Sequence, residues 1–109
     1  MNVNPAESKA KFHIGQLVEH LRFGYRGVVI DVDPVFQASE QWYARVARSK
    51  PPKDQPWYHV LVDGAAQRTY VAERHLQADC YLSPIRHPQL DSYFQAFDNG
   101  HYIQKIRAN

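Results

Sequence analysis

A basic segment in the middle of the chain is the first feature whose residue types could do chemistry. No acidic residue occurs from Gln41 through Lys53, and the cations in and next to the predicted helix end are Arg45, Arg48, Lys50 and Lys53. Such side chains neutralise phosphates, which supplies most of the affinity of proteins for nucleic acids. The polar and aromatic residues that follow, Gln55, Trp57 and Tyr58, could contact sugars or bases. If the chain has a nucleic-acid ligand, this segment is the predicted binding site; the alternative is a solvated basic edge.

Histidines and a cysteine raise the separate question of metal binding or nucleophilic catalysis. The chain contains His13, His20, His59, His75, His87 and His101, and one cysteine, Cys80. No cysteine pair and no His-Glu-x-x-His motif frames them, so we predict no metal site, no catalytic residue, no cofactor and no enzyme activity. Asp31 and Asp33 could hold an ion, but a strand end before Pro34 explains them without chemistry. Hydrolytic or metal chemistry would need His59, His75 or Cys80 to converge in a cleft.

Length and composition favour a single globular domain. The chain has 109 residues, of which 44% are hydrophobic and 13% aromatic, well outside the range of disordered proteins. Thirteen Lys and Arg against eleven Asp and Glu give a net charge of +2, which by itself predicts no partner. The single cysteine cannot form an intramolecular disulfide, which favours a reducing compartment and a cytoplasmic location. We expect no signal peptide and no membrane contact, since no apolar run approaches the roughly 20 residues that span a bilayer.

Short β-branched segments separated by turn residues predict a mainly β fold. The predicted strands are 16–20, 26–33, 57–63 and 69–72, and a short helical turn at 72–76 precedes a further extended segment. Between the second and third strands, a helix is predicted to begin after the N-cap Ser39 and to end near Ser49. Because several strands carry apolar residues on both faces, the pattern favours a small SH3-like β-barrel with a helical insertion.

The C-terminal part of the chain is predicted to add a second short helix. Leu90, Phe94 and Phe97 would form one stripe of a helix at 91–97, with Asn99-Gly100 as its stop. The predicted organisation is thus a flexible N-terminal arm at 1–11, a barrel domain at 12–98 and a C-terminal tail at 99–109. Two further places are candidate partner surfaces. They are the glycine-rich turn with Tyr25 and Arg26, for which a purely structural role is the alternative, and the tail residues Tyr102 and Ile103.

Six ordered segments of the chain share one family resemblance. They are 12–18 (FHIGQLV), 23–29 (FGYRGVV), 31–34 (DVDP), 53–62 (KDQPWYHVLV), 70–73 (YVAE) and 85–88 (IRHP). Together they resemble the heat-shock protein HspQ family, also called the YccV-like hemimethylated-DNA-binding proteins. The succession of the 53–62 and 70–73 segments is the most specific part, and the resemblance extends from about Lys11 to Phe97. The loop from Asp63 to Arg68 is shorter than the family pattern.

The resemblance implies a fold and a set of partners that composition does not show. It implies an SH3-like barrel in a bacterial cytoplasmic protein induced by heat, which binds hemimethylated DNA and influences the amount of the replication initiator. It also implies a partnership with the Lon protease and its substrates, including denatured proteins, and a homo-oligomer, with a trimer as one candidate state. The alternative is a purely DNA-binding regulator of replication initiation with no direct protease role.

Overall fold

The structure, a computed structural model, describes residues 10–106. Its strands are β1 (Leu17–His20), β2 (Arg26–Asp33), β3 (Trp57–Val62), β4 (Arg68–Ala72), β5 (Leu76–Ala78), β6 (Phe94–Asp98) and β7 (His101–Gln104). The helices are α1 (Glu40–Val46) and α2 (Leu90–Tyr93), with a 3-10 turn at Glu73–His75. The predicted arm at 1–11 therefore lies almost wholly outside the described residues, as do residues 107–109 of the predicted tail.

Strands β1 to β5 form one antiparallel sheet in the order β4-β3-β2-β1-β5. The 3-10 turn carries the chain from β4 at one edge to β5 at the other, which is the connectivity of an SH3-like fold. The register of β2 against β3 shifts between Val29 and Asp31, and such a bulge bends the strand. The predicted mainly β class with short helices is confirmed, but the edges β4 and β5 are not hydrogen-bonded to each other within residues 10–106, so the sheet does not close into a barrel.

Both faces of this sheet are buried, as the apolar residues on each face of the predicted strands indicated. The cluster on one face contains Phe12, Val18, Val29, Tyr58, Val60, Val71 and Leu76. The cluster on the other face contains Leu17, Val28, Ile30, Leu61, Ile85, Phe94 and Tyr102. Successive residues of a strand point to opposite faces, so neighbours such as Val60 and Leu61 belong to different clusters. The first cluster lies on the concave side of the bent sheet. The second is covered by the C-terminal segment, which contributes Ile85, Phe94 and Tyr102.

The predicted helix at 91–97 is wrong beyond Tyr93. The helix is confined to Leu90–Tyr93, and Phe94–Asp98 is strand β6, which pairs with β7 in a separate two-stranded sheet. Asn99 and Gly100 have φ angles of 50° and 84°, and two such residues form the tight turn that matches the twist of a β-hairpin. The Asn-Gly pair therefore joins two strands, and the predicted helix stop at this pair is wrong.

The hairpin makes part of the predicted C-terminal tail an integral element of the fold. Tyr102 is only 8% exposed, and its hydroxyl accepts a hydrogen bond from Ile85 N at 2.9 Å. Its ring lies 5.2 Å from that of Phe94, centroid to centroid. The partner-surface role predicted for Tyr102 is therefore corrected, because this side chain is enclosed by its own chain. Ile103, on the other face of β7, is exposed, and its predicted role stays a prediction.

The hairpin is attached to the sheet at Gly15, where the backbone has a φ of 92°. Gly15 N donates to Val29 O, and Gly15 O accepts from Tyr102 N at 2.9 Å. A Cβ atom at this position would overlap the Tyr102 carbonyl oxygen. Gly24 also has a positive φ, of 75°, but a Cβ there would meet no atom within 4 Å. Gly15 thus combines a left-handed backbone with a close contact to Tyr102, whereas Gly24 has the left-handed backbone alone. Substitutions at the two positions distinguish these two effects.

We expect Gly15→Ala to lower the free energy of unfolding by more than about 2 kcal/mol, because strain and displacement of the hairpin add. Gly24→Ala should lower it by only about 1 kcal/mol, the cost of the left-handed conformation alone. Urea denaturation of both variants provides the comparison. Equal losses would show that the approach of Tyr102 to Gly15 contributes nothing.

Candidate nucleic-acid interface

A groove of about 600 Å³ opens along the edge strand β4. Its walls come from α1 and the loop after it, from β3 and β4, and from the β1–β2 turn together with the 3-10 turn. Thr69 and Val71 point to one face of β4, and Arg68 and Tyr70 point to the other, yet all four line the groove. The groove therefore runs across the edge of the sheet, where β4 pairs only with β3 among the described residues.

The helix that forms one wall is held at both ends. Ser39 Oγ accepts a hydrogen bond from Trp42 N at 3.0 Å, which confirms the predicted N-cap. Beyond the helix, the Tyr43 hydroxyl donates to the Pro51 carbonyl oxygen at 2.6 Å. These contacts fix a helix of only seven residues that would be marginal by itself.

An aromatic cluster joins this helix to the sheet. Its members are Phe36, Trp42, Tyr43, Trp57 and Tyr70. The Trp57 ring lies 4.9 Å from Phe36, 6.1 Å from Trp42 and 5.1 Å from Tyr70, measured between centroids. Trp42 and Tyr70 are 5.6 Å apart, are only partly buried and line the groove. Rings held by several neighbours in this way offer a pre-formed stacking surface.

Asp33 anchors the sheet side of the cluster. Its Oδ2 accepts a 2.6 Å hydrogen bond from the Tyr70 hydroxyl and lies 3.2 Å from His59 Nε2. Burial, and then the bond to Asp33, raise the pKa of Tyr70, so the hydroxyl stays protonated and donates. The ligand atoms of Asp31, Asp33 and His59 lie within 4.8 Å of one another, so these three residues could hold a cation if Asp33 exchanged its present partners. The predicted absence of a metal site stays a prediction.

Two histidines form the opposite end of the groove. His20 Nδ1 accepts hydrogen bonds from the backbone N of Arg22 and of Phe23, each at 3.1 Å. The His20 ring is nearly parallel to that of His75, with 5.8 Å between centroids, and His75 Nε2 lies 2.9 Å from Ser49 Oγ. Burial, followed by neighbouring positive charge, lowers the pKa of both imidazoles. They are therefore neutral at pH 7, and the acceptor role of His20 Nδ1 requires this.

Arginines supply the positive charge of the groove. Arg22, Arg48 and Arg68 line it, and all three are exposed. Within residues 10–106, Arg22 and Arg48 form no salt bridge, and Arg68 donates to the Tyr93 hydroxyl at 3.2 Å. Arg22 and Arg68 were not predicted as site residues. Their cationic type was visible, but nothing in the sequence placed the β1–β2 turn and β4 beside α1.

The basic run identified from the sequence contributes unequally to this surface. Arg48 lines the groove, and Arg45 and Lys50 are exposed and adjacent in sequence to lining residues. Lys53 is partly neutralised, because its Nζ lies 2.6 Å from the carboxylate of Glu40. Gln55 lines a separate depression of about 230 Å³ beside the 3-10 turn, and its role in binding stays a prediction.

Burial corrects two other assignments. Trp57 is 1% exposed and donates through Nε1 to Pro52 O at 3.0 Å. Tyr58 is fully buried, and its hydroxyl donates to Glu73 at 2.9 Å while accepting from Phe12 N. Neither ring is therefore free to stack on a base or a sugar. Trp57 lies at the floor of the groove and supports Trp42 and Tyr70, which were not predicted as site residues.

The predicted partner residues of the glycine turn also have internal contacts. The Tyr25 hydroxyl is 2.7 Å from Thr69 Oγ1, and its ring lines the groove. The Arg26 guanidinium lies 3.0 Å from Asp79 and 3.5 Å from Asp63, so it joins β2 to the segment after β5 and to the β3–β4 loop. Arg26 is thus chiefly a structural cation, and a partner role for it stays a prediction.

Comparison with known protein families identifies the domain. A family model described as "Hemimethylated DNA-binding protein YccV like" matches residues 10–101. The chain belongs to the YccV-like family. The match contains the whole groove, and the family description names a DNA-binding protein and no chemical reaction. None of the helices within residues 10–106 has the length and apolar character needed to cross a membrane.

The histidine end of the groove predicts a pH-dependent stability. Because the folded state lowers the pKa of His20 and His75 below 6.5, the unfolded chain binds more protons just below that pH. The contribution of these two neutral histidines to the free energy of unfolding is therefore fully present above pH 6.5. It is lost as the pH decreases toward their folded-state pKa values. In His20→Asn, an amide oxygen can accept the turn hydrogen bonds without titrating, so we expect a smaller loss between pH 7.5 and 5.0.

Urea midpoints at the two pH values test this expectation, with His101→Asn, at an exposed histidine, as the control. An unchanged pH dependence in His20→Asn, together with normal folding at pH 7.5, would contradict the role of this imidazole.

Proposed function

We propose that this YccV-like protein binds hemimethylated DNA with the surface around the β4 groove. The observation that carries the proposal is the combination of partly buried aromatic rings, Trp42 and Tyr70, with the exposed arginines Arg22, Arg48 and Arg68 in one groove. Nucleic acids present anionic phosphates and flat apolar bases together, and this lining matches both. The family membership supports the same ligand.

Phosphate contacts would supply the affinity. The whole chain has a net charge of only +2, so attraction must come from local charge. Arg22, Arg48 and Arg68 border the groove, and Arg45 and Lys50 extend the basic surface along the end of α1. Each cation that neutralises a phosphate releases counterions and steepens the dependence of affinity on salt. The predicted basic run is therefore one border of a wider site.

A matched pair of charge variants tests the location of this site. The double variant Arg22→Gln/Arg48→Gln removes two groove cations, and Arg86→Gln/Lys105→Gln removes two exposed cations that do not line the groove. We expect the first to weaken duplex binding and to flatten the plot of log K against log salt by about 1.8, since each contact contributes about 0.9. The control double variant should retain both affinity and slope.

Titrations should use unmethylated, hemimethylated and fully methylated duplexes with N6-methyladenine at the same position, each at several salt concentrations. The proposal requires the hemimethylated duplex to bind most tightly. Equal effects of the two double variants would remove the groove as the site, and binding indifferent to methylation would reduce the interaction to general charge attraction.

A second candidate function is modulation of Lon-type proteolysis by protein contacts, including the turnover of denatured proteins and of the replication initiator. We infer it from the family resemblance and from an exposed apolar pair, Tyr81 and Leu82, in the loop after β5. Contiguous apolar side chains exposed on a surface mark protein contact sites when the patch is large enough, and this pair would form part of such a patch. A cytoplasmic heat-shock accessory protein without enzyme activity, acting as a homo-oligomer such as a trimer, would fit both candidates.

Degradation of a denatured reporter by purified Lon protease, with and without this protein, tests the second candidate. We expect Tyr81→Ser to reduce any stimulation while leaving DNA affinity unchanged, because Tyr81 does not line the groove. Light scattering on the same samples gives the oligomeric state. Absence of stimulation by the unmodified protein would leave the purely DNA-binding regulator as the function.

A further inference from the structure

The size of the groove limits what part of a DNA molecule can enter it. A volume of about 600 Å³ lies in the range of sites that enclose small molecules, about 300–1,000 Å³. A duplex, which is much wider, can only lie across the opening. A single nucleobase with its sugar has the dimensions to enter.

Within residues 10–106, neither helix has the form of a recognition helix that could read a methyl group inside an intact duplex. Recognition helices lie in the major groove with one face free, but α1 has seven residues and α2 has four. The two aromatic side chains of α1, Trp42 and Tyr43, are engaged in the aromatic cluster. Extrusion of a base from the stack into a pocket is the alternative that enzymes acting on single bases use.

On these grounds we propose that the β4 groove holds one nucleobase extruded from the hemimethylated site, namely the methylated base itself. This inference rests on the proposed DNA-binding function and adds the part of the DNA that enters the groove. Trp42 and Tyr70 provide ring surfaces against which a flat base and its methyl group pack, and Phe23, stacked on His20, adds an exposed ring toward the other end of the groove. The edge strand β4 provides backbone groups for the polar edge of the base.

The charge of the groove favours an extruded nucleotide over a methylated ammonium group, the other ligand that aromatic grooves bind. Methylated ammonium groups of proteins also bind aromatic cages, by cation–π attraction. Here Arg22, Arg48 and Arg68 border the groove, and they would repel a cation but attract the phosphates on either side of an extruded nucleotide. The nearby carboxylate of Asp33 is already engaged by Tyr70 and His59.

The test uses the dependence of base extrusion on pairing. A hemimethylated duplex with N6-methyladenine opposite thymine is compared with one in which an abasic analogue lies opposite the methylated base. Extrusion costs less from the second duplex, so we expect it to bind about tenfold more tightly or better. A 2-aminopurine next to the methylated base should become more fluorescent on binding, because it loses its stacking neighbour.

Two exposed aromatic residues give a matched pair of variants. Phe23 in the groove is 73% exposed, and Tyr81 outside it is 72% exposed, so neither substitution by serine should prevent folding. We expect Phe23→Ser to reduce both the tenfold gain and the fluorescence change, and Tyr81→Ser to leave them unchanged. Trp42→Ala should abolish both, with circular dichroism to confirm that it folds.

The outcomes separate the inference from the function on which it rests. Tight, methyl-selective binding with no gain from the abasic partner and no fluorescence change would overturn base extrusion and leave DNA binding intact. Absence of binding to every duplex would overturn both. Binding of a trimethyl-lysine peptide in competition with DNA would also overturn the inference, because it would assign the groove to a cation.

Discussion

The burial of one indole ring determines where the groove can form. Trp57 begins β3, is 1% exposed, and contacts rings contributed by the segment between β2 and β3 and by β4. Its Nε1–H is satisfied by the Pro52 carbonyl oxygen, so the ring is enclosed without an unpaired donor. The segment between the strands, including the short helix α1, is therefore held against the sheet edge. The hydrogen bond between Ser49 Oγ and His75 Nε2 adds a second attachment, so the wall that carries Trp42 and Arg48 has a fixed position beside β4.

Local patterns predicted those elements whose shape is decided by neighbouring residues. The β-branched run at 26–33 and the Ser39 N-cap were predicted at the residues where they occur, because strand preference and capping act within a few positions. Phe94 and Phe97 were misassigned because a three-residue spacing fits a helix, whereas their strand conformation depends on the Asn99-Gly100 turn and on packing against Tyr102. A pattern in one short segment could not choose between these two arrangements.

The candidate site was only partly predictable, for a related reason. The basic run was recognised because its cations are close in sequence, and Arg48 does line the groove. Arg22 and Arg68 come from the β1–β2 turn and from β4, so only the folded sheet brings them to the same place. Trp57 was predicted to contact a sugar or a base, but its ring is buried against those of Trp42 and Tyr70. Residue type and proximity in sequence thus indicated that the groove would be basic and aromatic. Tertiary packing decided which residues line it.

The distribution of ion pairs explains how a nearly neutral chain presents a basic groove. Asp63 and Asp79 are paired with Arg26 inside the fold, and Glu40 is paired with Lys53. These contacts consume acidic and basic groups together and leave the net charge of +2 unchanged. Asp33 and Glu73 accept hydrogen bonds from tyrosine hydroxyls, which directs these carboxylates toward the protein interior. The arginines of the groove are left facing solvent, so local charge at β4 is set by which acids the fold engages elsewhere.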